Sequence, residues 1–535
     1  MKKIIFLFLA LALLAISCTD TNKRKAPIKG FMIDAARDVE TMEYYHRLID
    51  FFSERGFNTM IFRLTDDEGC AMKYTGHPEL ITHKGAYTAA QLKELVAYAQ
   101  SKNIELIPEV ESFGHTKYIT KTKTYAYLRD YPDDKYWMNA ICPVHDTTLR
   151  IMKDLYTETA AVFPSMYMHI GCDEVDWGVS AASKEALKTK TKNEIVANYI
   201  NTLNGYVKSL GKKTIIWGDV IIHRNDSDLL NRLDRDIVIM DWNYWDTSEK
   251  KIDSIAHSVM SKGFELIGAP AANWFAWGPR IGSYQLENIR CYSNVYHRLN
   301  DPSNLGVIIT HWLPKRYIQN CQWDSYALAA DILNNPDSFN FSASLKAFTE
   351  SYYGAQWSGA WDSLYRAVYD HTPSHRFLSI SQVPATFNGC DILRILPWAN
   401  VEYISERIAG RDSMLVNHFT ALARQAKVLE AGVTKNKDSY SEFVTTLDWI
   451  SYMIGRDNAM WQLCHSKPAP AALKKELTRI SAGDQAWIAL MKNYWEKGRT
   501  ADLDSSHLWA FPHAAAFSRK LMGDPKELTE LLKRK

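Results

Sequence analysis

The 535-residue chain is too long for one ordinary core, so two or more domains are expected. Its 46% apolar and 23% charged residues are those of a folded protein, and a net charge of +2 without a basic run argues against a nucleic-acid partner. The 17 Trp and 28 Tyr fill cores or line a pocket for a flat, partly apolar ligand such as a sugar ring.

In chain order, Lys2 and Lys3 precede an apolar run from Ile4 to Ile16, too short to span a bilayer, then Ser17 and Cys18. This reads as a secretory signal over residues 1–18. Cys18 after Ala15-Ile16-Ser17 resembles a bacterial lipoprotein lipobox, with Ala in place of the usual Leu. It predicts lipidation at Cys18, a polar tether over 19–27 and an outer-membrane lipoprotein on the periplasmic or cell-surface side. The other seven cysteines are scattered, lack a zinc-type spacing and read as buried thiols.

From residue 28 to about 336, short apolar runs alternate with helical patterns. The predicted strands are Gly30–Ala35, Thr59–Leu64, Ile104–Val110, Met166–Cys172, Thr214–Asp219, Ile237–Trp242, Phe264–Ala269 and Gly306–Trp312. Near-continuous apolar runs suit parallel strands buried on both faces. Between them, Met42, Tyr45, Leu48, Ile49 and Phe52 recur at helix spacing, and Thr88-Ala-Ala-Gln91 reads as a capping box. Eight strand–helix units in about 300 residues define an α/β class chain with a (β/α)8 TIM barrel. An open doubly wound sheet is the alternative, and it lacks a G-x-G-x-x-G turn after the first strand. Residues 337–535 change texture: long helical patterns such as Leu415–Ala431, Tyr440–Trp461 and Ala471–Trp495 predict an α-helical C-terminal domain.

A barrel of this kind carries its site at the C-terminal strand ends. There the sequence places Asp66-Asp67-Glu68, Glu109-Val-Glu111-Ser-Phe-Gly-His115, Asp173-Glu174, Trp217 and Asp219, Asp241-Trp242 with Tyr244 and Trp245, Trp274, and His311-Trp312. Carboxylates and indoles on one rim suit a carbohydrate pocket. Adjacent carboxylates in a regular strand would face opposite ways, so Asp173 and Glu174 can share a pocket only where the chain turns. Alone, the pair fits a helix N-cap acid with a solvated neighbour equally well. His169 reads as a buried histidine rather than a metal ligand.

His169-Ile-Gly-Cys-Asp173-Glu174-Val resembles the His-x-Gly-Gly-Asp-Glu signature of family-20 glycoside hydrolases, the β-N-acetylhexosaminidases. Pro108-Glu109-Val-Glu111-Ser-Phe-Gly-His115 and Leu64-Thr-Asp66-Asp67-Glu68 are similar to two further segments of that family, in the same order. Cys172 and the Phe-Gly-His turn are similar to the hexosaminidase D-like branch. The resemblance covers the barrel and implies a retaining exo-β-N-acetylhexosaminidase that removes terminal GalNAc or GlcNAc without a cofactor or metal. Its partners would be glycans bearing a terminal N-acetylhexosamine, with the membrane reached through the lipid anchor. It implies that Asp173 orients the substrate's acetamido group, whose oxygen attacks the anomeric carbon, and that Glu174 is the general acid and then base. It further implies that His115, Asp67 and Glu111 support Glu174, and that Trp217, Asp241, Trp242, Tyr244, Trp274 and Trp312 bind substrate.

Two departures bear on specificity. Lys29 stands where the resemblance leads one to look for a hydroxyl-gripping Arg before strand one, and it cannot make the same bidentate fork. Trp312-Leu313-Pro314 lacks the acid of the family's Trp-x-Glu. Both leave open the choice between N-acetylglucosamine and N-acetylgalactosamine, and the resemblance to the hexosaminidase D-like branch implies tolerance of, or preference for, N-acetylgalactosamine. Two other readings remain: a retaining glycosidase using Glu111 or Asp241 as its own nucleophile, and a non-catalytic glycan-binding lipoprotein.

Overall fold

The computed structural model describes residues 27–132, 140–222, 227–273, 281–312, 314, 318–371, 412–466 and 469–500. The expected signal, Cys18, Trp274 and Cys390 lie outside these residues. Among the described residues no helix is long and apolar enough to cross a membrane.

Eight parallel strands form a closed barrel: β1 (Ile28–Ile33), β2 (Thr59–Arg63), β3 (Glu105–Glu109), β4 (Tyr167–His169), β5 (Lys213–Trp217), β6 (Val238–Trp242), β7 (Glu265–Ala269) and β8 (Asn304–His311). Each pairs with the next, and β8 closes on β1 with Ile28 opposite Gly306, which excludes the open sheet. A (β/α)8 barrel followed by a helical C-terminal region is therefore the fold. A three-stranded sheet (Thr65–Asp66, Gly69–Met72 and Thr82–Tyr87) is inserted after β2 and carries Asp66 at the barrel mouth.

The period-2 alternation of the strands divides the apolar residues into two sets. Met32, Ile61, Ile107, Tyr167, Ile215, Met240, Ile267 and Ile308 pack inside the barrel. Phe31, Met60, Phe62, Leu106, Met168, Ile216, Ile239, Leu266 and Ile309 pack outward against the helices. The first helix, Met42–Ser53, buries Tyr45, Leu48, Ile49 and Phe52 and starts on Thr41, whose side chain accepts from the Tyr44 N–H. The capping box of Thr88 and Gln91 is formed at the start of Ala89–Ser101.

The C-terminal region contains the long helices Asp412–Leu429, Lys437–Ser466 and Pro470–Gly498, with Trp449 and Trp495 buried. Cys70, Cys142, Cys172, Cys291 and Cys321 are buried free thiols.

Two expectations are corrected by the strands. Lys29 lies near the start of β1, at the end of the barrel opposite the strand C-termini. Its ammonium donates to Asn334 Oδ1 at 2.8 Å, so it is no substrate-binding group. Asp241 alternates with the inward Met240 and Trp242 and therefore faces the helices, where the Tyr292 hydroxyl donates to it at 3.4 Å. It neither binds substrate nor serves as a nucleophile.

Asp241 yields a test of this orientation. Burial, against the opposing Tyr292 hydrogen bond, raises its carboxyl to about 7. The folded state then holds a proton between about pH 4 and 7 that the unfolded chain releases, so this group costs stability as pH rises through that window. Asp241→Asn should keep its kcat/KM and gain stability over the wild type by a few kcal/mol between pH 5 and 8 in urea unfolding. Parallel pH profiles, or a collapse of activity, would put Asp241 elsewhere.

Candidate active site

Regular extension of β4 ends at His169, three residues before the predicted end. Beyond it Gly171 (φ +69°), Cys172 (φ +78°) and Glu174 (φ +48°) take left-handed backbone. For non-glycine residues each such conformation costs about 1–3 kcal/mol and persists only where its surroundings impose it. This reversal brings two neighbouring carboxylates to one side. Gly171 cannot be replaced without strain: a Cβ there would lie 1.8 Å from Glu111 Oε2. Gly114 is equally confined, with a Cβ falling 1.9 Å from the Asp173 carbonyl, so the loops after β3 and β4 touch.

His115, itself at φ +46°, sits among four carboxylates. Its Nε2 lies 3.1 Å from Glu174 Oε2 and 3.6 Å from Asp173 Oδ2. Its Nδ1 lies 3.6 Å from Asp67 Oδ2 and 3.7 Å from Asp66 Oδ2. Burial disfavours its charge, but Asp173, Asp66, Asp67 and Glu174 hold the imidazole well above its usual range. Asp67 also accepts the Lys117 N–H at 3.0 Å, which fixes its orientation. Asp219 accepts the Glu174 N–H at 2.9 Å and the Trp242 indole N–H at 3.4 Å. Burial and the nearby Asp173 push Asp219 up to about 7.

Beneath the pair lies Arg63, fully buried at the end of β2 and inward by the same alternation as Ile61. Its guanidinium pairs with Glu109 and Asp66 and meets Glu111 Oε1 at 2.8 Å; its Nε lies 3.7 Å from Asp34. Glu111 also accepts the Cys172 N–H at 3.2 Å, tying the β3 loop beneath the β4 turn. Burial, opposed by Arg63, brings Glu109 to about 7, and burial with the nearby Asp173 raises Glu111 as well. His169 is fully buried, accepts the Gly171 N–H at 3.0 Å and is held neutral by burial and by Arg63.

Aromatic side chains complete the cup. Trp312 Nε1 donates to the Tyr244 hydroxyl at 2.9 Å, and Trp242 lies 5.0 Å from Tyr244. Trp217 is wholly buried, donates to Glu109 at 2.8 Å and packs 5.6 Å from Trp312; it floors the cup rather than walling it. Arg37 lies 5.2 Å over the Trp312 ring and pairs with Asp34 at 3.2 Å and Asp66 at 2.9 Å. It is the cation at the mouth, which the sequence reading sought ahead of β1 at Lys29 instead of after it. Arg63 and Asp34 were passed over as site residues, and Glu109 and Asp219 were placed on the rim without a role. For Arg63 the signal was available, because counting by twos from Ile61 turns it inward at a strand end.

A family profile described as "Glycosyl hydrolase family 20, catalytic domain" matches residues 27–297. The chain belongs to glycosyl hydrolase family 20. It is 28% identical over 249 residues to a beta-hexosaminidase of Vibrio furnissii, covering 40% of this chain and 39% of that one. It is 28% identical over 174 residues to a beta-hexosaminidase of Akkermansia muciniphila, covering 29% and 35% of the two chains. The chain thus spans little more than a third of these relatives. In fold it is similar to the chitobiase of Flavobacterium johnsoniae, with TM-score 0.50 and 17% identity over 84% of this chain and 74% of that one.

Proposed function

We propose that this protein is a retaining exo-β-N-acetylhexosaminidase that uses its substrate's acetamido group as the nucleophile. The observation that carries this reading is the left-handed turn after β4, which sets Asp173 and Glu174 side by side with His115 between them. In the proposed reaction the acetamido oxygen attacks the anomeric carbon while the bond to the leaving oxygen breaks. Glu174 donates its proton to that oxygen. Asp173 accepts the acetamido N–H and offsets the positive charge that develops on the ring formed. Glu174 then takes a proton from water as the water attacks the same carbon, which restores the sugar's configuration and the amide.

The surroundings of the pair support these roles. Asp219 holds the Glu174 backbone, and His115 steadies both carboxylates. The Tyr244 hydroxyl accepts from Trp312, which fixes its place in the wall of the cup. A protein nucleophile is disfavoured. Asp241 faces the helices, and Glu111 is engaged by Arg63 and the Cys172 N–H.

Arg37 changes the specificity argument, because a bidentate cation does stand at the mouth. The expectation of relaxed specificity then rests on Trp312-Leu313-Pro314 and on the resemblance to the hexosaminidase D-like branch. The two sugars differ in the orientation of one hydroxyl, whose neutral hydrogen bond is worth about 0.5–1.5 kcal/mol. Purified enzyme should therefore hydrolyse p-nitrophenyl β-N-acetylgalactosaminide and β-N-acetylglucosaminide with kcat/KM values within about tenfold. It should leave the 2-hydroxy analogues untouched. Rapid turnover of an analogue without the acetamido group would overturn the mechanism.

A further inference from the structure

The end of the last described helix returns to the barrel mouth. Arg499, directly after Pro470–Gly498, is buried. Its Nε lies 3.0 Å from Asp38 Oδ2 and 3.2 Å from Glu40 Oε1, both nearly sealed from solvent. Its Nη2 donates to the Pro314 carbonyl at 2.5 Å, and its guanidinium stacks 3.9 Å over Trp495. Backbone bonds seat it: Thr41 N donates to Gly498 O at 3.0 Å, and Thr500 N donates to Val39 O at 3.1 Å. Gln319 bridges Glu40 and the Gly498 carbonyl. A cavity of about 20 Å³, bordered by Asp34, Asp38, Glu40, His311 and Pro314, lies beside this cluster.

These partners are not incidental to the pocket. Asp38 and Glu40 belong to the segment after β1 that carries Asp34 and Arg37, and Pro314 follows Trp312 closely in sequence. Arg37 and Trp312 face each other at the mouth. One guanidinium therefore ties the segments following the first and last barrel strands.

We propose that Arg499 is a positioning residue: it fixes the segment 34–41 against the β8 end and so sets Arg37 over Trp312, where the sugar is received. This proposal rests on the glycosidase reading for its kinetic part alone. A guanidinium is required because three acceptors in different directions must be met by one planar fork.

Full-length Arg499→Ala and Arg499→Lys test it through two readouts. Amide hydrogen exchange without substrate should speed up over residues 34–41 in Arg499→Ala, while β7 keeps its protection. KM for the aryl N-acetylhexosaminides should rise about tenfold with kcat within about twofold, because binding and not the reacting carboxylates is disturbed. Arg499→Lys should recover part of both effects, and it replaces Arg499→Ala if the latter does not fold. Unchanged exchange over 34–41 overturns the proposal, as does faster exchange there with an unchanged KM. Exchange decides the tie even if the wild type hydrolyses neither sugar, a result that would sink the glycosidase reading alone.

Discussion

Replacing Glu174 by Gln is expected to lower kcat by about 10²–10⁴-fold, the usual contribution of one positioned proton-transfer group. The side chain stays the same size, so thermal stability should change little. The two chemical steps separate further on an aryl glycoside. A nitrophenolate leaves without much help from an acid, so the step most damaged is water attack, which needs Glu174 as base. A small anionic nucleophile such as azide needs no base and should restore turnover in the variant, with a β-glycosyl azide as product. Asp173→Asn should lose about 10²–10³-fold, the scale of removing one preorganised charge-stabilising group, and azide should not rescue it. A folded Glu174→Gln enzyme within tenfold of the wild type would remove Glu174 from the mechanism.

Arg63→Met is expected to be the most damaging substitution for stability. The guanidinium is wholly buried among Asp34, Asp66, Glu109 and Glu111. Removing one partner of a buried ion pair costs about 3–5 kcal/mol, because the remaining charge stays out of water. Here several carboxylates lose one cation, against a total stability of about 5–15 kcal/mol for a folded domain. Arg63→Met should therefore unfold at much lower urea than the wild type or fail to accumulate as folded protein. Arg63→Lys should fall between, having the charge without the fork. Adding Glu109→Gln and Glu111→Gln to Arg63→Met should recover part of the loss, and so should lowering the pH. Without Arg63 these carboxyls are pushed further up, so protonation relieves them as pH falls. If Arg63→Met is as stable as the wild type at neutral pH, the buried cluster carries less charge than its geometry implies.

The same alternation that made the barrel legible explains both the successes and the errors at the site. The eight apolar runs were readable because strands buried on two faces need apolar residues at nearly every position. The clustering of Glu111, His115, Asp173 and Glu174 followed from looking where those runs break. Asp241 was misassigned because proximity to a strand end was weighed without its parity. Parity turns it away from Trp242 and towards Tyr292. Arg63 was overlooked because acids and indoles were sought and a lone arginine after Phe62 looked like ordinary strand-end charge. Lys29 was placed at the pocket mouth, where Arg37 stands, although the chain passes through β1 between them and so carries the two residues to opposite ends of the barrel.

By itself, then, the sequence determined the barrel, the helical region after it and the two adjacent carboxylates, since each is written in the spacing of residues close together along the chain. Only the tertiary structure decided the setting of His115 among four carboxylates, the burial of Arg63 under the turn after β4 and the return of Arg499 to a loop more than four hundred residues away. Those depend on which groups meet across strands and how little water reaches them. Neither hydropathy nor periodicity records that, because both describe neighbours in the chain and not neighbours in space.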